Sequence, residues 1–197
     1  MGVARDLNNA EVHQGPGDLW IIDPAPDDTA IRLTLDTDGT PDVTAHGSSI
    51  HLGAIASAIT FEATPEISDI TLDQYEAPIA QFISKLGVKI QAELAQTEMQ
   101  KMQKALGVGV YDTAAGYKEL TFGGVTAIPE FCVAAISPKR TDPTLFIVAM
   151  LYKTTATGGI KLTISRNNPS FYTVEFTGQS DLTRTAGRQI GVVYETI

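Results

Sequence analysis

Apolar residues in this chain recur mostly with a period of two, in short runs bounded by turn residues, which is the signature of half-buried strands. The run "DLWIID" is strand-prone and stopped by Pro24, and "AIRLTL" sets Ile31, Leu33 and Leu35 against Arg32 and Thr34. Both predict strands. "SAITFE" puts Ile59 and Phe61 on one face. "EISDITLDQY" alternates Ile67, Asp69, Thr71 and Asp73 against Ser68, Ile70, Leu72 and Gln74, so one of its faces is distinctly polar. "IAQFISKLGVKIQAEL" is long for one straight strand, and Gly87 in its middle predicts a bend or bulge. Past that glycine, Val88, Ile90, Ala92 and Leu94 alternate with Lys89, Gln91 and Glu93, a second strand with one wet face.

A helical period appears once, in "TEMQKMQKALG". Thr97 and Gln100 form a capping-box pattern, Met99, Met102 and Leu106 share a side, and Gly107 suits the C-terminal stop, so a helix is expected over 97–106. The second half returns to strands: "KELTF", a Gly123-Gly124 turn, and "VTAIPEFCVAAI", where Pro129 marks an edge or bulge. "TLFIVAMLYK" is apolar on both faces, and its β-branched and aromatic content predicts a central strand. "IKLTIS", "FYTVEFT" and "RQIGVVYE" follow, with Tyr172, Val174 and Phe176 on one face and Ile190, Val192 and Tyr194 on another. Roughly ten short strands and one helix predict a mainly β fold, a β-sandwich or partly closed barrel. Residues 1–16 are polar and aperiodic, a flexible arm ahead of one domain over 17–197. The turn-rich stretch 36–49 reads as a long loop, hairpin or arm.

Charge narrows the partners. The 197 residues carry a net charge of −9, which argues against tight nucleic-acid binding through clustered Lys and Arg. Residues 1–98 hold 4 basic and 16 acidic side chains and residues 99–197 hold 10 and 7; copies would stack head to tail if the two halves formed opposite faces. Cys132 is the only cysteine, within an apolar run, so it is expected as a small buried residue in a protein of a reducing compartment. The first residues have no apolar segment of the secretory kind, the longest apolar run, 145–151, is too short to span a bilayer, and Asp6 removes the myristoylation pattern after Gly2. The expectation is no export and no membrane.

Candidate chemistry is sparse. His13, His46 and His51 lack HxxxH or HExxH spacing, and a metal held by His46 and His51 would need a further ligand, so no metal is expected. Asp36, Asp38 and Asp42 around Gly39 lack the order and the closing Glu of a calcium loop; "DTDGTPD" is more simply a turn with Gly39 at positive φ. Asp69, Asp73 and Glu76 are carboxylates of a kind a hydrolase could use, but nothing positions an acid partner for them. Gly107, Gly109 and Gly116 make no phosphate loop, and no GxSxG elbow occurs. No catalytic residue and no cofactor is predicted. The alternative to a structural role is a β-sandwich binding module for carbohydrate or a protein partner, which would need an exposed aromatic platform; Trp20, the single tryptophan, lies in an apolar strand.

The order of these segments resembles the major tail tube protein of tailed bacteriophages. The resemblance is carried by "GPGDLWIIDPAP", by the strand pair before "AQTEMQKMQKALG", by "GGVTAIPEFCVAAISP" with the apolar strand and "LYK", and by "FYTVEFTGQSDLTRTAGRQIGVVYE". It spans roughly residues 17–197, and no motif within it is diagnostic alone. It implies a non-enzymatic virion protein assembled in the host cytoplasm, forming stacked hexameric rings whose lumen is a β-barrel with strands from every subunit. Its partners would be further copies of itself, tape measure and tail terminator proteins, and DNA as transient, non-specific cargo. Asp69 and Asp73 are the lumen-lining candidates, since carboxylates repel phosphate and let DNA slide.

Overall fold

The apolar run near residue 150 becomes the hub of the molecule, with strands hydrogen-bonded along both of its edges. The computed structural model describes residues 17–23, 32–42, 48–53, 55–70, 79–95, 98–124, 128–139, 142–159 and 171–197. Its strands are β1 (Asp18–Asp23), β2 (Ser48–His51), β3 (Ile55–Ile70), β4 (Ala80–Leu94), β5 (Val110–Ala114), β6 (Tyr117–Thr121), β7 (Phe131–Pro138), β8 (Phe146–Ala156), β9 (Tyr172–Gly178) and β10 (Gly191–Glu195). One helix among the described residues, α1 (Met99–Leu106), lies between β4 and β5. The fold is mainly β and sandwich-like, and every strand pair is antiparallel.

β8 belongs to both layers. Its first half pairs with β7 on one side and β10 on the other, and β1 and β2 extend that layer. Its last residues, Thr154–Ala156, pair with β9, which passes the sheet on to β4 and then β3. The order β2-β1-β7-β8-β9-β4-β3 ends in open edges and does not close into a barrel among the described residues. Leu19, Ile21, Val133 and Leu151 from the first layer meet Ile90, Leu94, Tyr172, Val174 and Phe176 from the second, and Met102 and Ala105 of α1 join that core. Alternate residues of β8, Phe146, Val148, Met150 and Tyr152, face a second cluster with Ile22, Cys132 and Ala134, covered by Leu33 and flanked by Trp20, Val192 and Tyr194. A strand buried on both faces must be apolar at nearly every position, which is why "FIVAMLY" shows no alternation.

Several expectations change. "SAITFE" and "EIS" are one continuous strand, β3. Pro65 does not break it: among the described residues β3 is the edge of its sheet, a place where a missing N–H is tolerated. The bulge in β4 falls at Ser84, where pairing shifts from Glu66–Lys85 to Ile67–Ile83, and Gly87 stays in regular register opposite Thr64. The helix starts after Glu98, which caps it without a side-chain bond; Thr97 lies outside the described residues, and Gly107 ends the helix at φ 67° as expected. Of "AIRLTL", the described part forms only an isolated bridge, Leu35 to Pro41. The Tyr194 hydroxyl takes a strand's place there, accepting from Leu33 N–H at 2.9 Å and donating to Leu33 O at 3.3 Å. The expected strand "KELTF" is β6, paired in a hairpin with β5, which has no counterpart among the expectations, and β7 begins two residues after Pro129. Strands from the two halves of the chain interleave, β1 against β7 and β4 against β9, so the acidic and basic halves are not opposite faces. "IKLTIS" lies outside the described residues.

Candidate assembly interface

β3 and β4 are the longest strands, and only part of their length is packed. β9 pairs with β4 from Lys89 to Leu94 and no further, so from Val88 to Ala80 β4 has β3 as its only strand partner among the described residues. The pair continues as a two-stranded ribbon whose large apolar side chains lie in the open: Ile67 is 61% exposed, Ile83 64% and Phe82 50%, with Ile70 and Leu86 close behind. An isolated two-stranded ribbon is marginal in water, and an uncovered apolar edge pairs readily with other chains.

Strand alternation divides the ribbon into two faces. Ile59, Phe61, Ala63, Pro65 and Ile67 share one with Ile90, Val88 and Leu86 across the register, and Ile83 joins them beyond the bulge. This face begins in the core and runs out into solvent. The other face carries the charges: Glu62 meets Lys89 at 3.1 Å and Glu66 meets Lys85 at 3.7 Å. The Lys89 ammonium, then the Thr64 hydroxyl, hold the Glu62 carboxyl below its usual range, and Glu62 in turn raises Lys89. Gln91 and Glu93 of β4 and Thr173, Glu175 and Thr177 of β9 continue the same polar face by register. Sequence alternation showed Lys89, Gln91 and Glu93 on a wet face; the addition of Glu62, Glu66 and Glu175 depends on strand pairing between distant segments.

Asp69 ends the ribbon, exposed, accepting from Gln81 Nε2 at 2.8 Å, and by alternation it lies on the apolar side with Ile67, away from the Glu-Lys face. Asp73 and Glu76 lie outside the described residues, as do His13 and His46. His51 Nε2 lies 3.0 Å from Asp18 Oδ1, and its ring packs 4.8 Å from the half-buried ring of Trp20. Among the described residues no three His, Cys, Asp or Glu side chains are grouped to hold a metal ion. Cys132 is a free thiol pushed up to about 12 by burial. The acidic stretch is a tight turn: Asp38 Oδ1 accepts from Thr40 N–H, and Gly39, at φ 85°, packs against the Phe146 ring. Among the described residues no helix is long and apolar enough to cross a membrane. No protein-family model and no curated protein matches the chain.

Proposed function

We propose that this chain is a structural, non-enzymatic subunit that polymerises into stacked rings forming a tube, of the kind that conducts DNA in phage tails. The observation that carries this reading is the β3–β4 ribbon: large apolar side chains held on an open-edged strand pair beyond the body of the sandwich. A soluble monomer gains nothing from that arrangement, whereas neighbours that cover the ribbon bury its surface at about 25 cal/mol per Å². The polar face of the same strands supplies a surface suited to a water-filled lumen. Glu62, Glu66, Glu93 and Glu175 outnumber Lys85 and Lys89 on it, so its net charge repels phosphate. DNA would then be transient cargo, and the lasting partners further copies of this chain, with tape measure and terminator proteins at the ends.

Size-exclusion chromatography with light scattering, followed by negative-stain microscopy over rising protein concentration, tests the reading. Rings or tubes of constant diameter are expected. A species that stays monomeric at the highest attainable concentration would overturn it.

A further inference from the structure

Among the described residues the sandwich is open on the side from which the ribbon leaves. Between β3 and the inner face of the β7-β8-β10 layer lies a cavity of ≈ 570 Å³ that includes Ile59, Ala135, Ala149 and Val193. A second, of ≈ 300 Å³, continues it between the base of the ribbon and β10, and the two share Phe61 and Val193. Together they form an apolar trough with small side chains on its floor. Among the described residues no strand pairs with the outer edge of β10 beside it. Tyr152 N–H donates to Ile190 O and Thr196 N–H donates to Phe146 O, so the even-numbered residues of β10 turn their backbone groups toward β8. Gly191 and Val193 therefore point theirs outward.

We propose that this trough and the β10 edge receive the β3–β4 ribbon of a second copy of the chain, in a head-to-tail contact. The inference rests on the assembly reading above and adds the acceptor surface to it. The ribbon cannot fill its own trough, because Phe61 and Val88 at its base form one wall and the strand register carries the rest away from it. At ~3.3 Å per residue the segment Ala80–Val88 reaches about 30 Å, enough to cross into a neighbour. Ribbon-to-ribbon pairing would stop at a symmetric dimer and leave both troughs empty. Ribbon-to-trough pairing covers both apolar surfaces of every copy and repeats without limit or closes into a ring.

Cysteine cross-linking distinguishes these arrangements, since Cys132 is only 1% exposed and stays silent toward maleimides. I83C and V193C are prepared separately, mixed under assembling conditions and treated with a short bis-maleimide. The expected product is a band at twice the 21.0 kDa monomer from the mixture and from neither variant alone. A ladder beyond dimer is expected when both cysteines sit in one chain. Q81C with S180C, two exposed polar positions, repeats the test should a cysteine at an apolar site block assembly.

Cross-linking of I83C to itself would show ribbon-to-ribbon pairing and overturn the proposal. So would V193C as unreactive toward maleimide in the dilute monomer as in the assembly, because its own chain would then cover the trough. Tubes that form without an I83C–V193C link would sink this inference and leave the assembly reading standing. A protein that never assembles would sink both.

Discussion

Gly39 occupies a place where two constraints coincide. Its φ of 85° lies where a β-carbon is disfavoured, and a β-carbon built there would sit 2.5 Å from the Phe146 ring. Gly116 shares the positive φ, at 98°, but opens onto empty space. G116A should therefore cost only the backbone penalty of about 1–2 kcal/mol, whereas G39A adds overpacking of about 1–3 kcal/mol. Thermal unfolding of the two variants checks this, and equal losses would mean Phe146 moves aside freely. Asp181 is a second such residue. The Thr183 hydroxyl and amide, then the Arg184 guanidinium at 3.1 Å, hold its carboxyl below the ordinary value of 3.8. A folded pKa below the unfolded one means the stabilisation is complete above about pH 4 and fades as pH falls through the folded value. The Arg184 side chain is 3% exposed and lies 3.7 Å over the Tyr152 ring, so D181N weakens the pairing of a buried cation. A loss of about 1–3 kcal/mol at neutral pH is expected. Urea titrations at descending pH should show the gap between wild type and D181N closing below about pH 4; a gap constant with pH would rule out the carboxylate as its source. The positive φ of Gly39 was legible in "DTDGTPD". The ring it packs on was not, and "DLTR" gives no hint of a buried arginine, because both facts arise from contacts across more than a hundred residues or onto a distant strand.

The outer part of the β3–β4 ribbon, beyond Val88, carries large apolar residues that stay exposed in one chain. Ile67 and Ile83 are directly opposite in the register and mostly exposed. Replacing them together by I67K/I83E exchanges an apolar pair for an opposite-charge pair that a cross-strand position tolerates. Denaturant unfolding should change by no more than about 0.5 kcal/mol, while assembly followed by light scattering should be lost. Assembly at the wild-type concentration would show that this stripe is not the contact. Much of this element was readable beforehand: Val88, Ile90, Ala92 and Leu94 alternate in sequence and all four are buried. The continuity of β3 was not, because Pro65 looks like a stop until the strand is known to be an edge. The bulge at Ser84, three residues from Gly87, escaped for a related reason. A bulge answers to cross-strand geometry, and here the Ser84 hydroxyl donates to Glu66 O across the pair. β5 escaped because "VYDTA" is exposed along nearly its whole length, so no burial pattern is written into it, whereas its partner β6 was legible in "KELTF".

For the whole molecule the question is which force joins the copies. The charge difference between the halves of the sequence suggested attraction of opposite faces, but β1 lies beside β7 and β4 beside β9, so the fold mixes the two halves. What remains separated is polarity within the layer β9-β4-β3 as far as Lys85, with one face charged and the other apolar; beyond the bulge Phe82 and Ile70 share the charged face and Asp69 the apolar one. In a tube built as proposed, the charged face would meet the cargo. E93K/E175K then adds four units of positive charge per subunit to it while keeping every member of the Glu62–Lys89 and Glu66–Lys85 pairs. Tubes of that variant should hold double-stranded DNA with an affinity that falls steeply as salt rises, and wild-type tubes should not. Equal DNA binding by both would place that face away from the lumen. The subunit contact itself should respond to salt in the opposite sense from a charge-driven one. At physiological ionic strength exposed charges are screened within about 8 Å, and the ribbon's ion pairs are internal to each chain, so sodium chloride has little intersubunit attraction to weaken. Apolar burial is instead strengthened by excluded salts such as sulfate. Assembly midpoints measured by light scattering should therefore hold steady from about 0.1 to 1 M sodium chloride, where the screening length shrinks to about 3 Å, and fall to lower protein concentration in ammonium sulfate. Dissolution of the assemblies by sodium chloride alone would make charge the dominant force and displace the apolar ribbon as the joint.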